Sequence, residues 1–214
     1  MQGISEQDAA AGLLSLPRKH HDEVHAVALI LKKLPTCVKE DDAFESMWPL
    51  ARFLAENKGT KIPVHDQRSI LQEIVNALKR FHSSPKFVTG AVTIIGLFTT
   101  KYMENSSETA RYRMFIDVGG IPTLISSVKK VGTSDIASLA VAMLSSISYI
   151  SPKDVATNEC IDFVFSVVMK NPNIMQAAQS FFSKIITEEG VRASLKQKGY
   201  DLNRVSPSIR MQAS

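Results

Sequence analysis

Cysteine is nearly absent from this chain: Cys37 and Cys160 are the only two in 214 residues. Two are too few for a disulfide framework and stand at no metal-ligand spacing, so reduced thiols are expected. Aromatic residues are sparse as well, at 7% of the chain with Trp48 as the one tryptophan. Pro and Gly are not gathered into any internal block, which excludes a long low-complexity segment there. Long apolar runs are also missing. The longest uncharged stretches, Phe87 to Thr100 and Ile136 to Pro152, fall short of a membrane span, and the second is rich in Ser. Met1 to Leu16 holds Glu6 and Asp8 and no basic n-region, so neither a secretory signal nor a mitochondrial presequence is expected. The expectation is a cytoplasmic protein, with a nuclear one as the alternative.

Charge of one sign is lacking over most of the chain. The net charge is +4, and Val191 to Ser214 supplies all of it, with Arg192, Lys196, Lys198, Arg204 and Arg210 against Asp201. A basic stripe along a folded face would point to nucleic acid. Here the charge sits on a terminal segment with Tyr200 as its one aromatic residue, which argues against a nucleic-acid partner. The stretch after Gly199, DLNRVSPSIRMQAS, has few large apolar groups. A domain over residues 1–200 followed by a flexible basic tail, 201–214, is therefore expected.

Catalytic constellations are missing too. There is no Walker-type phosphate loop, no Gly-rich fingerprint after a strand and no nucleophile elbow. His20, His21 and His25 form the one histidine cluster, and His21 and His25 would share a helix face. The order His-Asp-Glu-Val-His lacks the Glu directly after the first His that a metalloprotease needs. The carboxylate pairs Asp41-Asp42 and Glu188-Glu189 fall where helices begin or end, so solvation and the helix dipole account for them. A protein that is not an enzyme, with no cofactor and no bound metal, is the expectation.

What the chain does have is helical periodicity, with no sustained alternation of the kind a half-buried strand needs. Helices are predicted over Ser5 to Leu16, Asp22 to Leu34 (stopped by Pro35), Asp42 to Asn57, Asp66 to His82 and Ser84-Pro85 to Lys101. A central unit follows. One helix ends at Gly119-Gly120, a second opens at Ile121-Pro122, and a third runs from Asp135 to Ser148. Gly leaves a helix through a left-handed turn and Pro is tolerated in a first turn, so the pair marks a corner. Further helices are predicted over Glu159 to Lys170, Asn173 to Thr187 and Val191 to Lys198. The triplet Ala140, Leu144 and Ile147 recurs as Ala178, Phe182 and Ile185, and upstream as Ala91, Ile95 and Phe98. Phe115 to Gly119 is echoed by Leu195 to Gly199, two units of about forty residues away.

The central unit, with Phe115, Gly119-Gly120-Ile121-Pro122, Leu124, Ala140 and Leu144, resembles an armadillo repeat. The resemblance runs from about Ser84 to Gly199. The following unit departs from it, with Glu159-Cys160 in place of the Gly pair, and ahead of Ser84 a HEAT-like register fits equally well. What the resemblance implies is an all-α fold, a right-handed α-solenoid of about four armadillo-like repeats. It also implies a protein-binding scaffold or adaptor whose third helices line a concave groove. With Ile136, Leu139, Ala140, Met143, Leu144 and Ile147 assigned to the core, Ser138, Ala142, Ser145 and Tyr149 are left facing that groove. The same register gives Gln176, Ser180, Ser183 and Thr187 in the later unit and Thr93, Gly96 and Thr100 in the earlier one. Nuclear-import receptors of the family carry repeated Trp and Asn there, whereas Trp48 lies outside the matched third helices; a catenin-like basic groove is also absent. The expected partner is a peptide or helix lying flat on small, mostly uncharged residues. Two alternatives remain: a chaperone cofactor resembling the Hsp70 nucleotide-exchange factors, and a structural subunit assembling through Leu13, Leu14 and Leu16.

Overall fold

The computed structural model describes residues 25–56, 62–100, 106–131, 133–188 and 190–199. Among them are nine α-helices of seven residues or more and no β-strand: α1 (Glu40–Glu56), α2 (Val64–Arg80), α3 (Pro85–Thr100), α4 (Glu108–Asp117), α5 (Gly120–Val131), α6 (Ser134–Ile150), α7 (Asn158–Lys170), α8 (Met175–Ile185) and α9 (Val191–Gln197). The predicted stretch Ser5 to Leu16, the tail 201–214, and His20 and His21 lie outside the described residues. No helix among the described residues is long and apolar enough to cross a membrane.

The helix ends follow local chemistry. Ser107 Oγ accepts the Ala110 N–H at 3.1 Å to open α4, and Thr157 Oγ1 accepts the Cys160 N–H at 3.3 Å to open α7. Both satisfy an amide that a first turn leaves without an intrahelical partner. At the predicted corner Gly119 takes a φ of 74°, a left-handed geometry that costs a side chain. Gly120 is needed for a different reason: a Cβ there would lie 2.2 Å from the Phe115 ring.

Two short features depart from the expected helices. Residues Leu29–Lys33 wind as a π-helix and Leu34–Thr36 as a 3-10 turn. Pro35 has no N–H to close on the carbonyl four residues back, and the Leu34 N–H reaches to Leu29 O instead. Prolines also open the short turns Pro152–Val155 and Pro172–Ile174 between the longer helices.

Packing places the most apolar helices in the middle. Neither α3 after Lys86 nor α6 after Asp135 carries a charge, and a helix apolar on most sides must be covered on most sides. Accordingly α3 meets α1, α2, α4, α5 and α6, while α6 meets α3, α4, α5, α7 and α8. Helix α1 packs on α3, α3 on α6 and α6 on α8, which makes a row of four. Behind it α2 packs on α5 and on Leu29–Lys33, and Lys129 of α5 meets Glu159 of α7 at 3.9 Å. The stretch ahead of Ser84, whose register the sequence leaves open, thus supplies the first member of the row.

One continuous core runs from Ala26 to Leu195, with Phe87, Phe98, Phe115, Phe181 and Phe182 almost wholly excluded from water. Burial of each such side chain contributes about 1.5–3 kcal/mol relative to leaving it exposed.

Two arginines tie the connections down. Arg80 donates to the carbonyls of Leu34, Pro35 and Cys37 at 2.8, 3.1 and 3.0 Å. Arg111, only 2% exposed, donates to Thr99 O at 3.2 Å and Ser106 O at 2.6 Å. Ser106 Oγ donates to Gln67 Oε1 at 2.6 Å, and Gln67 Nε2 donates to Ile62 O at 2.7 Å. The chain ahead of α2 at Ile62 and the connection after α3 at Ser106 are thereby fixed to α2. Burial lowers the Arg111 pKa from its ordinary value.

Candidate protein-binding face

The exposed side of the helix row is the surface on which the predicted groove residues can be placed. Thr93, Gly96, Thr100 and Ala142 meet at the seam between α3 and α6, around a depression of about 250 Å³. Leu97, Leu139, Met143, Ser146 and Tyr112 complete its lining, so its wall carries no charged residue. Gly96 is buried in the seam. A Cβ there would sit 3.8 Å from Leu139 and 3.9 Å from Met143, so the bare glycine leaves room between the two helices. Thr100 Oγ1 donates to Gly96 O at 2.8 Å. With its hydroxyl turned back onto its own helix, Thr100 offers mainly its methyl group outward.

Two predicted residues do not join this surface. Ser145 is 7% exposed, and its carbonyl accepts the Ser148 hydroxyl at 2.6 Å. At 3.6 residues per turn Ser145 lies about 60° off the direction of Ala142, whereas Ser146 is within about 40° of it. Helices packed on both flanks of α6 leave only a narrow strip open, so Ser146 lines the depression and Ser145 is covered. Ser138 turns toward the end of α7, where its hydroxyl accepts from Asn171 Nδ2 at 3.0 Å and donates to Ser134 O at 2.8 Å. Leu139, assigned to the core from sequence, is half-buried and forms part of the wall.

Tyr149 stands exposed on the same strip of α6, seven residues beyond Ala142, with 59% of its surface in water. The Lys184 ammonium from α8 lies 4.3 Å from its ring centre. On α8, Gln176 and Ser183 are exposed and Ser180 is half-buried, and Thr187, in the turn just past the helix, is exposed. Spacings of 4 and 3 place the first three on one helix face. Ser183 Oγ donates to Ser180 O at 2.8 Å and Thr187 Oγ1 to Lys184 O at 2.9 Å, so these hydroxyls too are satisfied within the helix.

The other end of the row holds a feature that the sequence register did not reach. Trp48, on α1, is 57% exposed and stacks on Phe44 with ring centres 5.8 Å apart and planes 25° apart. Phe44 lies against α3 because Gly90 has no side chain; a Cβ there would be 2.7 Å from the ring. The Lys86 ammonium sits 4.7 Å from the Phe44 ring centre and 2.8 Å from Asp41 Oδ1. That bond raises the Lys86 pKa and lowers the Asp41 pKa from their ordinary values. Trp48 lies outside the matched third helices, as expected from sequence, and the helix that carries it packs on α3 as the first member of the row. The signal available in sequence was the spacing of Asp41, Glu45, Trp48 and Arg52, which places four solvent-facing side chains on one stripe.

Elsewhere Cys37 and Cys160 are both free thiols and buried. Burial, the largest influence, raises the Cys160 pKa, which makes that thiol a poor nucleophile. Comparison with protein-family models, with curated proteins and with solved structures finds no match.

Proposed function

We propose that this chain is a non-enzymatic protein-binding scaffold of armadillo-like build, a right-handed solenoid of about four helical repeats, that takes a partner segment on the exposed side of its row. The observation that carries the reading is the uncharged depression at the seam of α3 and α6, lined by Leu97, Leu139 and Met143. Its neighbours on the same side are small residues whose hydroxyls are largely used within their own helices. Such a surface offers little to a polar small molecule. It suits a polypeptide that brings a large apolar side chain and lays its backbone close to Gly96 and Ala142. A cytoplasmic setting fits the two reduced thiols.

The test is affinity purification from the native cell with the wild type and with Ala142→Arg plus Ser183→Arg. Both positions are exposed, so circular dichroism is expected to show an unchanged helical fold. Selective loss of one co-purifying protein from the double variant is the expected result. Retention of every partner sinks the assignment to this face.

A further inference from the structure

Across the row, from α1 to α8, the exposed face changes its electrostatic character in one direction. At the α1 edge Asp41 already neutralises Lys86 through their 2.8 Å bond. Glu40 and Glu45 bear on the same ammonium, yet neither makes an ion pair among the described residues, so two carboxylates are left over at this corner. Arg52, one turn beyond Trp48, is tied to Glu56 at 2.8 Å and adds no net charge. The middle of the face, around the α3–α6 depression, is uncharged. At the α8 end Lys184 stands over Tyr149 and makes no ion pair among the described residues.

Resting on the reading that the depression takes a partner side chain, we infer that the partner segment is itself polarised: basic at one end, apolar in the middle and acidic at the other. The lysine or arginine of that segment continues the stack that Lys86, Phe44 and Trp48 begin. It places its cation over the open face of Trp48, beside the Glu45 carboxylate, where ring quadrupole and charge attract it together. A leucine, methionine or phenylalanine fills the α3–α6 depression. An aspartate or glutamate at the far end meets Lys184.

Neighbouring helices pack about 8–10 Å apart, so Trp48 and Lys184 are on the order of 25 Å from one another across the row. An extended chain covers that in about eight residues. The charge layout fixes the direction in which the segment crosses, because the reversed segment would set like charges against each other at both ends.

Selection of random 12-residue peptides displayed on phage against the full chain tests this. The expected consensus has a basic residue about four positions from a large apolar one, with an acidic residue about four positions further on. A synthetic peptide of that consensus is expected to shift the emission of Trp48, the only tryptophan. Glu45→Lys is expected to weaken its binding about tenfold, and a second peptide with the basic residue changed to Glu is expected to regain affinity for that variant. Lys184→Glu is expected to behave in the mirror sense. Selected peptides without this polarity, charge exchanges that do not compensate, or a library that yields no binder each overturn the inference. If Ala142→Arg abolishes peptide binding while Glu45→Lys and Lys184→Glu leave it intact, the depression remains the binding site and only the polarity is wrong. If Ala142→Arg leaves binding intact, the reading on which the inference rests falls with it.

Discussion

The two seams α1–α3 and α3–α6 join neighbouring members of one row, yet their exposed surfaces are chemically unlike. Each has a glycine of α3 at its centre. In the first, Gly90 is filled from outside by Phe44, which carries Trp48, Lys86 and Asp41 with it into an aromatic and charged cluster. In the second, Gly96 is left open, and the space beside Leu139 and Met143 becomes an apolar depression. The same residue type thus does opposite things about nine ångströms apart along one helix, at 1.5 Å per residue. What decides is how closely the side chains of the neighbouring helix approach: the Phe44 ring would lie 2.7 Å from a Cβ at Gly90, whereas Leu139 and Met143 would stand 3.8 and 3.9 Å from one at Gly96.

The largest break in this comparison is expected from the core beneath the second seam. Leu144 is fully buried, and Leu144→Ala should cost about 2–5 kcal/mol. Phe44→Ala at the first seam should cost less, roughly 1–2 kcal/mol, because the ring is only half-buried and less area returns to water. Urea unfolding followed by circular dichroism compares the two, and equal losses would show that the first seam is packed as tightly as the second.

The glycines themselves provide a sharper contrast, one of sign. Gly96→Ala adds a methyl group at ordinary contact distance from Leu139 and Met143 and should stabilise by up to about 1 kcal/mol through helix propensity. Gly90→Ala gains the same propensity but drives a Cβ against the Phe44 ring, and a net loss is expected. If both substitutions stabilise, Phe44 swings away freely and the aromatic stack is not fixed by α3. Gly120→Ala at the corner meets the Phe115 ring from 2.2 Å and should destabilise by more than Gly90→Ala does.

The smallest effect concerns Asp41 and Lys86. Their bond lowers the Asp41 pKa below its ordinary value of 3.8. The stability it supplies is therefore present above that value and lost as pH falls through the lower folded-state pKa. Both groups are exposed, so the contribution is slight and screened by salt. Thermal melts of the wild type and Asp41→Asn should differ a little at neutral pH and converge in acid. A gap that persists at pH 2 would assign the effect to something other than this ion pair.

Some of this was legible from residues alone. The Gly119-Gly120 corner could be read because a left-handed turn favours glycine and a first helical turn tolerates Pro122. The face of α8 was legible too, since Gln176 and Ser183 fall on the polar side of a strongly amphipathic helix. On α6 the same reasoning ran out. Nearly every position of that helix is small or apolar, so periodicity did not distinguish Ser145 from Ser146, and the helices packed on its flanks decided which was covered.

From the sequence, then, come the helices, their stops and the all-α class, because each depends on a few neighbouring residues: a proline without an N–H, a glycine at positive φ, a hydroxyl at a first turn. Only the tertiary structure decided that α1 stands first in the row, that Trp48 shares its exposed side, and that the space at Gly96 stays open while that at Gly90 is filled. Those outcomes depend on which side chains meet across helices some 45 residues apart in the chain. A contact of that kind leaves no period or spacing in the sequence for a reader to find.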